Sequence, residues 1–242
     1  MSKTAAIIVI GNEILSGKIR DENSPYLAGE LRALGVNLRS IEIISDNVEA
    51  IAAHVATCSK SHDLVFTSGG VGPTHDDVTM QGVARALGLK TVQSQQMAGL
   101  LRDTCGIREN DAVSKMAELP EGAELIDEGE MLFPLVRVKN VYVFPGVPEY
   151  MRDKFEAVKE RFRGEAFILR KVFVSREEFC IAHIIDRAAE AYPDVLMGSY
   201  PKIKDPDYKV LITLEHTDPG KLEEAMKMLV DALPEGSVVK TE

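Results

Sequence analysis

The chain has 242 residues, of which 45% are hydrophobic and 27% are charged, a composition typical of a soluble globular protein. This length suffices for one large domain or for two smaller ones. The net charge is -10, and no run of like charge stands out along the chain. This charge argues against binding to nucleic acid, because an acidic surface repels a polyanion. A phosphorylated small molecule is still compatible with it, provided that backbone dipoles, basic side chains or a metal supply positive charge.

Cysteine usage and the N-terminus indicate the compartment. Cys58, Cys105 and Cys180 lie far apart and form no C-x-x-C pair. This pattern is typical of a reducing compartment, with neither a disulfide framework nor a structural zinc site. The N-terminal apolar run covers only residues 5–10, which is too short for a signal peptide or a membrane helix. We therefore expect a cytoplasmic protein that does not bind membranes.

The first two thirds of the chain alternate short apolar runs with amphipathic segments. Continuous apolar runs predict buried strands at 5–10, 64–66 and 141–144, and a further strand is predicted at 36–44. Helices are predicted between and after them, at 25–34, 48–59, beyond 78, at 95–105, 112–118 and from about 149. This alternation predicts a doubly wound α/β domain with a mostly parallel sheet and helices on both faces.

A second domain follows near Gly164. The predicted order is a strand at 167–175, a helix at 177–191, strands at 195–200 and 209–216, a helix at 219–233 and a short strand at 238–239. This is a compact α+β unit of ordinary domain size. We place the two domains at residues 1–163 and 164–242, because Gly164 and its charged neighbours interrupt the hydrophobic pattern.

Acidic residues follow each of the first three strands, at the edge where open parallel sheets bind ligands. The glycine-rich turn after the third strand can present backbone N–H groups to phosphate, and carboxylates beside a phosphate require a hard cation such as Mg²⁺ between them. The predicted metal ligands are Asp46, Asp76, Asp77 and Glu13. The predicted phosphate-binding residues are Gly11, Ser68, Gly69, Gly70, Gly72, Thr74, Pro145 and Gly146.

Simpler interpretations of these residues stay open. Either Asp76 or Asp77 could be a helix N-cap, and the glycines could form an ordinary tight turn. Glu13 and Asp46, each taken alone, are typical of solvated loop acids. The turn matches neither G-x-G-x-x-G nor the Walker P-loop, and Ser68 lacks the G-x-S-x-G context of a nucleophile.

The segment GGVGPTHDDVT at residues 69–79 resembles the signature of the MoaB/Mog molybdopterin-binding family. Its form is the one seen in the N-terminal domain of CinA-like proteins and in the molybdopterin-binding-like domain of eukaryotic-type FAD synthases. The resemblance covers about residues 4–160, and residues 133–150 are closer to the FAD synthase branch. It includes GNEILSG at 11–17, Asn23, Asp46 with Asn47, and PGVP at 145–148. The remaining residues are similar to the small α+β domain that follows in both groups.

The resemblance implies a pocket for a phosphorylated dinucleotide or pterin, with Asp46 and Asp77 as catalytic residues and Mg²⁺ or Co²⁺ as cofactor. For the CinA-like and FAD synthase branches it implies metal-dependent hydrolysis of the pyrophosphate bond of ADP-ribose or FAD, which is our leading hypothesis. For the Mog-type branch it implies adenylylation of molybdopterin. Asn12 stands where many relatives carry Asp, and Tyr150 where CinA-like proteins carry Glu.

Two further hypotheses come from other classes of protein. One is a binding module that holds molybdopterin or a related nucleotide without turnover. The other is a regulatory or scaffold protein with a vestigial pocket, which the loss of an acid at Asn12 favours. Neither the CinA deamidase domain nor the adenylyltransferase domain of FAD synthases is recognised in the sequence, so FAD synthesis is not expected. A homo-oligomer is expected.

Overall fold

The computed structural model describes residues 2–105, 111–128, 131, 133–202 and 206–242. The chain divides into two compact units, Met1–Gly164 and Glu165–Glu242. Within the described ranges, no helix combines the length and the apolarity that crossing a membrane requires.

The first unit alternates strands and helices along the chain. In order, its strands are β1 (Thr4–Ile10), β2 (Asn37–Ile44), β3 (Leu64–Ser68), β4 (Thr91–Gln93), β5 (Glu118–Pro120), β6 (Glu124–Ile126), β7 (Leu135–Val138) and β8 (Val141–Phe144). Its helices are α1 (Asn12–Leu15), α2 (Asn23–Ala33), α3 (Val48–Ser61), α4 (Thr79–Ala86), α5 (Gln95–Cys105), α6 (Asp111–Met116) and α7 (Pro148–Val158). A 3₁₀ helix, Lys159–Phe162, follows α7.

Parallel strands form the centre of a six-stranded sheet with the order β2-β1-β3-β8-β7-β6. β1 pairs in parallel with β2 and with β3, and β3 pairs in parallel with β8. β7 and β6 continue the sheet in antiparallel orientation. The prediction of a doubly wound, mostly parallel sheet is confirmed. Because four neighbouring strands run the same way, their carboxyl ends meet at one edge.

Alternate side chains of β1 belong to two different cores, since successive residues of a strand point to opposite faces. Ile8 packs in one apolar cluster with Ile51 of α3. Ile7 packs in the other with Leu27 of α2 and Phe155 of α7. All of these side chains are fully buried. The continuous apolar run at the start of the sequence therefore reflects a strand that is covered on both sides.

Short elements are where the structure differs from the sequence prediction. The predicted helix at 112–118 is shorter, because α6 ends at Met116 and β5 begins at Glu118, in antiparallel pairing with β4. The sequence does not predict the strands β4, β5, β6 and β7. It does not predict α1 either, because a polar loop is expected at that position. Strands of three or four residues contain too few positions to display a period of two.

The second unit is a four-stranded antiparallel sheet with two helices. Its elements are β9 (Ile168–Val174), α8 (Glu178–Ala191), β10 (Leu196–Pro201), β11 (Val210–His216), α9 (Pro219–Ala232) and β12 (Val238–Thr241), and the strand order is β10-β11-β9-β12. Apolar residues of β9 and β11 pack against both helices in one cluster. Cys180 in α8 is an exposed free thiol and Cys58 in α3 a buried one, whereas the side chain of Cys105 lies outside the described residues.

Phe162 closes one aromatic core of the first unit. Its ring lies edge-on to Phe66, with centroids 5.0 Å apart, and to Tyr142, at 4.8 Å. We expect Phe162→Ala to destabilise the first unit by about 3–5 kcal/mol, because the truncation leaves a cavity among fully buried rings. Hydrogen exchange of the β3 amides measures this loss.

Phe179→Ala is the matched control, because Phe179 is 81% exposed, and it should change stability by about 0.5 kcal/mol or less. Equal protection of the β3 amides in Phe162→Ala and in the unmodified protein would contradict the assigned packing.

Candidate functional site

A cavity of about 980 Å³ lies at the carboxyl ends of the parallel strands. It is bordered by residues that follow β1, β2, β3 and β8, which is where the sheet topology places a ligand. Nearly all of the predicted site residues line it, namely Glu13, Asp46, Ser68, Gly69, Gly70, Gly72, Thr74, Asp76, Asp77, Pro145 and Gly146.

Gly11 is the exception among the predicted phosphate-binding residues. It does not line the cavity, and its N–H donates to the carbonyl oxygen of Ile44 at 3.1 Å. A Cβ at this position would collide with the carboxylate of Glu13. Gly11 therefore continues the β1–β2 pairing beyond β1 and makes room for Glu13, so its prediction as a phosphate contact is wrong.

Gly69 joins the ends of three strands. Its φ of +109° is unfavourable for any residue with a side chain, and a Cβ would overlap the carbonyl oxygen of Ile10. Its N–H donates to the carbonyl oxygen of Phe144 at 3.2 Å, and its own carbonyl oxygen accepts from the hydroxyl of Thr79 at 2.8 Å. Gly69 thus holds the turn against β1 and β8 and contributes no free donor.

The next three residues carry the donors of the turn. Gly70 is in the left-handed region, with φ +65°, and its carbonyl oxygen accepts from the N–H of Thr79 at 3.0 Å. The N–H groups of Gly70, Val71 and Gly72 donate to no acceptor within the described part of the chain. All three residues line the cavity. Consecutive unpaired N–H groups at a glycine turn form a concave site for an anion.

Asp46 borders this turn from the β2 side. The N-cap of α3 is Asn47, whose side chain accepts from the N–H groups of Glu49 and Ala50, so Asp46 has no capping role. Its Oδ2 accepts from the N–H of Asn12 at 2.7 Å. Its Oδ1 lies 3.5 Å from the position that a Gly70 Cβ would take. This hydrogen bond involves only the backbone N–H of Asn12. The presence of Asn where many relatives carry Asp therefore leaves the bond unaffected.

Asp76 and Asp77 do not cap α4, because the N-cap position is Val78 and no side chain bonds there. Asp77 Oδ2 instead accepts from the N–H of Thr74 at 2.8 Å and lies 2.7 Å from the position of a Gly72 Cβ. The hydroxyl of Thr74 lies 2.7 Å from Asp76 Oδ1, and this bond is the main reason why the pKa of Asp76 is lowered. The N-cap interpretation of the acidic pair is therefore wrong.

The predicted metal ligands are only partly brought together. Asp46 and Asp77 both border the glycine turn, whereas the carboxylate of Glu13 lies against Gly11. Among the described residues, no three His, Cys, Asp or Glu side chains are grouped as a metal would require. A pair of carboxylates nevertheless fits Mg²⁺, which commonly binds one or two carboxylates and takes its other ligands from water and substrate phosphates.

Asn23 is a site residue to which the sequence assigns no role, although the family resemblance includes it. Its side chain is 5% exposed and lines the cavity, and its Nδ2 donates to Ser68 Oγ and to the carbonyl oxygen of Gly146, each at 2.8 Å. Ser68 Oγ in turn donates to the carbonyl oxygen of Pro145 at 3.2 Å. Asn23 Oδ1 is buried and has no hydrogen-bond partner among the described residues, an arrangement that costs about 1–3 kcal/mol unless a ligand donates to it.

Lys154 is the second such residue. It projects from α7, lines the cavity and is 9% exposed, and its Nζ donates to the carbonyl oxygen of Phe133. Burial lowers the pKa of Lys154 to about 8, and the nearby charge of Asp127 opposes that shift. A lysine in an amphipathic helix is usually exposed, so only the packing of α7 identifies it.

We expect Gly69→Ala to destabilise the first unit by about 3 kcal/mol or more, because positive-φ strain adds to the overlap with Ile10. Gly88→Ala is the matched control, since Gly88 has a φ of +68° but open space around its Cβ position. It should cost only about 1–2 kcal/mol. Urea denaturation of both variants measures the difference, and equal losses would contradict the close approach at Gly69.

Comparison with known proteins agrees with this geometry. Residues 6–164 match the family described as "Probable molybdopterin binding domain", and residues 166–242 match the "FAD synthase, middle domain". A protein of Archaeoglobus fulgidus is 37% identical over 227 residues, which is 94% of this chain and 96% of the relative.

Two further similar proteins carry the names FAD synthase and CinA. A "Probable FAD synthase" of Caenorhabditis briggsae is 31% identical over 265 residues, covering 98% of this chain but 50% of the relative, so the chain spans about half of that protein. The crystal structure of CinA from Thermoplasma acidophilum, a protein described as having an unknown function, superimposes with a TM-score of 0.62 at 27% identity. It covers 66% of this chain and 98% of its own. The resemblance inferred from the signature is confirmed: the chain belongs to the MoaB/Mog-like molybdopterin-binding domain family, here followed by a domain of the FAD synthase middle-domain family.

Proposed function

We propose that the chain is an enzyme that binds an ADP-containing dinucleotide of the FAD or ADP-ribose type and acts at its pyrophosphate linkage. The observation that carries this proposal is that Asp46 and Asp77 both border the glycine turn, three N–H groups of which donate to no acceptor among the described residues. The relatives named as FAD synthases and the match to the FAD synthase middle domain support the choice of ligand.

The turn supplies the phosphate contacts. The N–H groups of Gly70, Val71 and Gly72 would donate to oxygens of the pyrophosphate, and they would stabilise the negative charge that develops during reaction. Thr74 holds Asp77 through its N–H, which fixes the carboxylate at the rim of the turn before a ligand arrives. Such prior fixing reduces the reorganisation that the reaction requires.

A divalent cation is part of the proposal because the cavity is acidic. Its lining includes Glu13, Asp21, Glu22, Asp46, Asp76, Asp77 and Asp153, against only Arg20 and Lys154. Asp46 Oδ1 and Asp77 Oδ1, which accept no hydrogen bond from the described residues, would hold Mg²⁺ or Co²⁺. When bound, the metal would polarise a phosphoryl oxygen and lower the pKa of a coordinated water.

The remainder of the cavity suits the non-reacting parts of a dinucleotide. Phe133, Pro134 and Tyr150 are part of its wall, and flat apolar surfaces of this kind pack against nucleobase or flavin rings. The unpartnered Asn23 Oδ1 would accept a hydrogen bond from a hydroxyl or N–H group of the ligand. These contacts would position the pyrophosphate at the turn.

Hydrolysis is the first candidate reaction. Water would add to one phosphorus, the bond from that phosphorus to the bridging oxygen would break, and FAD would give FMN and AMP. This is the activity that the sequence predicts, and it stays a prediction. Adenylyl transfer is the second candidate, because the likeness to FAD synthases extends over 98% of this chain and those relatives are named for synthesis. In that separate reaction, an FMN phosphate oxygen would attack the α-phosphorus of ATP and displace pyrophosphate.

A ligand of a different class is favoured by the family name of the first domain. A molybdopterin-type pterin also carries a phosphate, which the turn could hold without any turnover. Binding by thermal shift together with no change in any dinucleotide would favour this alternative. The expected homo-oligomer stays a prediction as well.

The purified chain should act on FAD with Mg²⁺ or Co²⁺, releasing FMN and AMP, or should form FAD and pyrophosphate from FMN and ATP. Chromatography with flavin detection measures both the hydrolysis of FAD and its formation. Asp77→Asn keeps the acceptor for the Thr74 N–H but removes the charge beside the turn, so we expect a loss of at least about 10- to 100-fold.

Asp76→Asn is the matched control, because Asp76 also bonds to Thr74 but is exposed and has no contact with the turn glycines. It should lose several-fold less activity than Asp77→Asn. Absence of both FAD hydrolysis and FAD formation with every metal tested would overturn the enzymatic proposal. Equal effects of the two variants on activity would overturn the assignment of Asp77.

A further inference from the structure

Lys154 is a buried cation that the proposed chemistry at the glycine turn does not use. Its ammonium group carries three donors, whereas the described residues supply a single acceptor, the carbonyl oxygen of Phe133. No carboxylate of the described residues forms an ion pair with it. Asp127 acts on it only through its longer-range charge.

An unpaired charge is costly to bury, and replacing it by an apolar residue of similar volume is commonly neutral or stabilising. Packing therefore gives no reason for a lysine at this position of α7, since its neighbours Met151, Phe155 and Val158 are apolar and buried. Lys154 and Phe133, whose carbonyl oxygen accepts from the ammonium group, both line the cavity. The described residues supply no anion to this ammonium group, so an anionic group of a bound ligand is the partner that fits it.

We propose that the ammonium group of Lys154 holds a phosphate oxygen of the bound nucleotide at a position separate from the glycine turn and independent of any metal. Tyr150 lies one helical turn before Lys154, and both it and Phe133 line the cavity. An aromatic wall beside a cation matches a mononucleotide unit, whose ring and phosphate are joined by a short sugar or sugar alcohol. This inference rests on the proposed nucleotide ligand, but not on turnover.

The test measures binding by calorimetry in EDTA, so that metal-dependent contacts at the turn do not contribute. The probes are FMN against riboflavin and AMP against adenosine, pairs that differ only by a phosphate. In the unmodified protein the phosphorylated member should bind more tightly. Lys154→Met should reduce that preference about tenfold or more, because hydrogen bonds to charged groups are the strong ones.

Lys60→Met is the matched control, since Lys60 is exposed at the end of α3 and lines no part of the cavity. It removes the same charge and should leave the preference for phosphate unchanged. Lys154→Arg retains the charge and should retain part of the preference.

Stability provides a readout that separates ligand binding from a structural role. The folded-state pKa of Lys154 is lowered to about 8 by burial, whereas the unfolded value is near the ordinary one. The penalty of burying the charge is therefore fully present below pH 8 and is relieved as pH rises toward the unfolded value, because there the unfolded state binds more protons. Lys154→Met should thus be as stable as the unmodified protein or more stable at pH 7, and any gain should shrink at higher pH.

Each outcome decides the proposal. Loss of the phosphate preference with stability retained supports it. An unchanged preference overturns it, as does a large loss of stability with the preference intact, which would assign Lys154 to the Phe133 carbonyl alone.

If neither nucleotide binds the unmodified protein, the proposed ligand fails. Titration with inorganic phosphate then decides on Lys154: binding that Lys154→Met abolishes supports the anion position, and no binding overturns it.

Discussion

The close approach of Gly69 to the carbonyl oxygen of Ile10 is the constraint on which the site depends. Only a residue without a Cβ can lie there, and its N–H and carbonyl groups are used by Phe144 and Thr79. Since the anchor consumes the polar groups of Gly69 itself, the next residues leave the strand with N–H groups that have no acceptor within the described part of the chain. The same backbone geometry therefore packs three strand ends and presents the donors that we propose for the pyrophosphate.

Charge in the cavity is divided between two regions. Near the turn, carboxylates are held by backbone donors, Asp46 by Asn12 and Asp77 by Thr74, so they are oriented before any ligand binds. On the side formed by α7, Lys154 is buried, and no carboxylate of the described residues forms an ion pair with it. A uniformly acidic pocket would repel phosphate throughout, whereas under the proposed function a cation would be needed only at the turn.

Much of the sheet could be predicted because β1, β3 and β8 contain continuous apolar runs and recognisable helices separate the strands. Short β4 and β5 could not, since three residues show no periodicity and each is stabilised by its partner strand. The same limit applies to single residues. The glycine turn and its acids are adjacent in sequence, but the partners of Asn23 lie 45 and 123 residues away, at Ser68 and Gly146.

The sequence by itself determined the parallel sheet, the edge at which its loops converge and the residue types of the turn, because strand patterns and glycine requirements are local. Only the tertiary structure decided which groups remain available to a ligand. It assigned Gly11 to strand pairing and gave the α4 cap position to Val78 instead of an aspartate. Among the described residues, it left Asn23 Oδ1 without a hydrogen-bond partner and Lys154 with the carbonyl oxygen of Phe133 as its one acceptor. Hydrogen-bond saturation depends on atoms brought together from distant segments, and no local pattern encodes it.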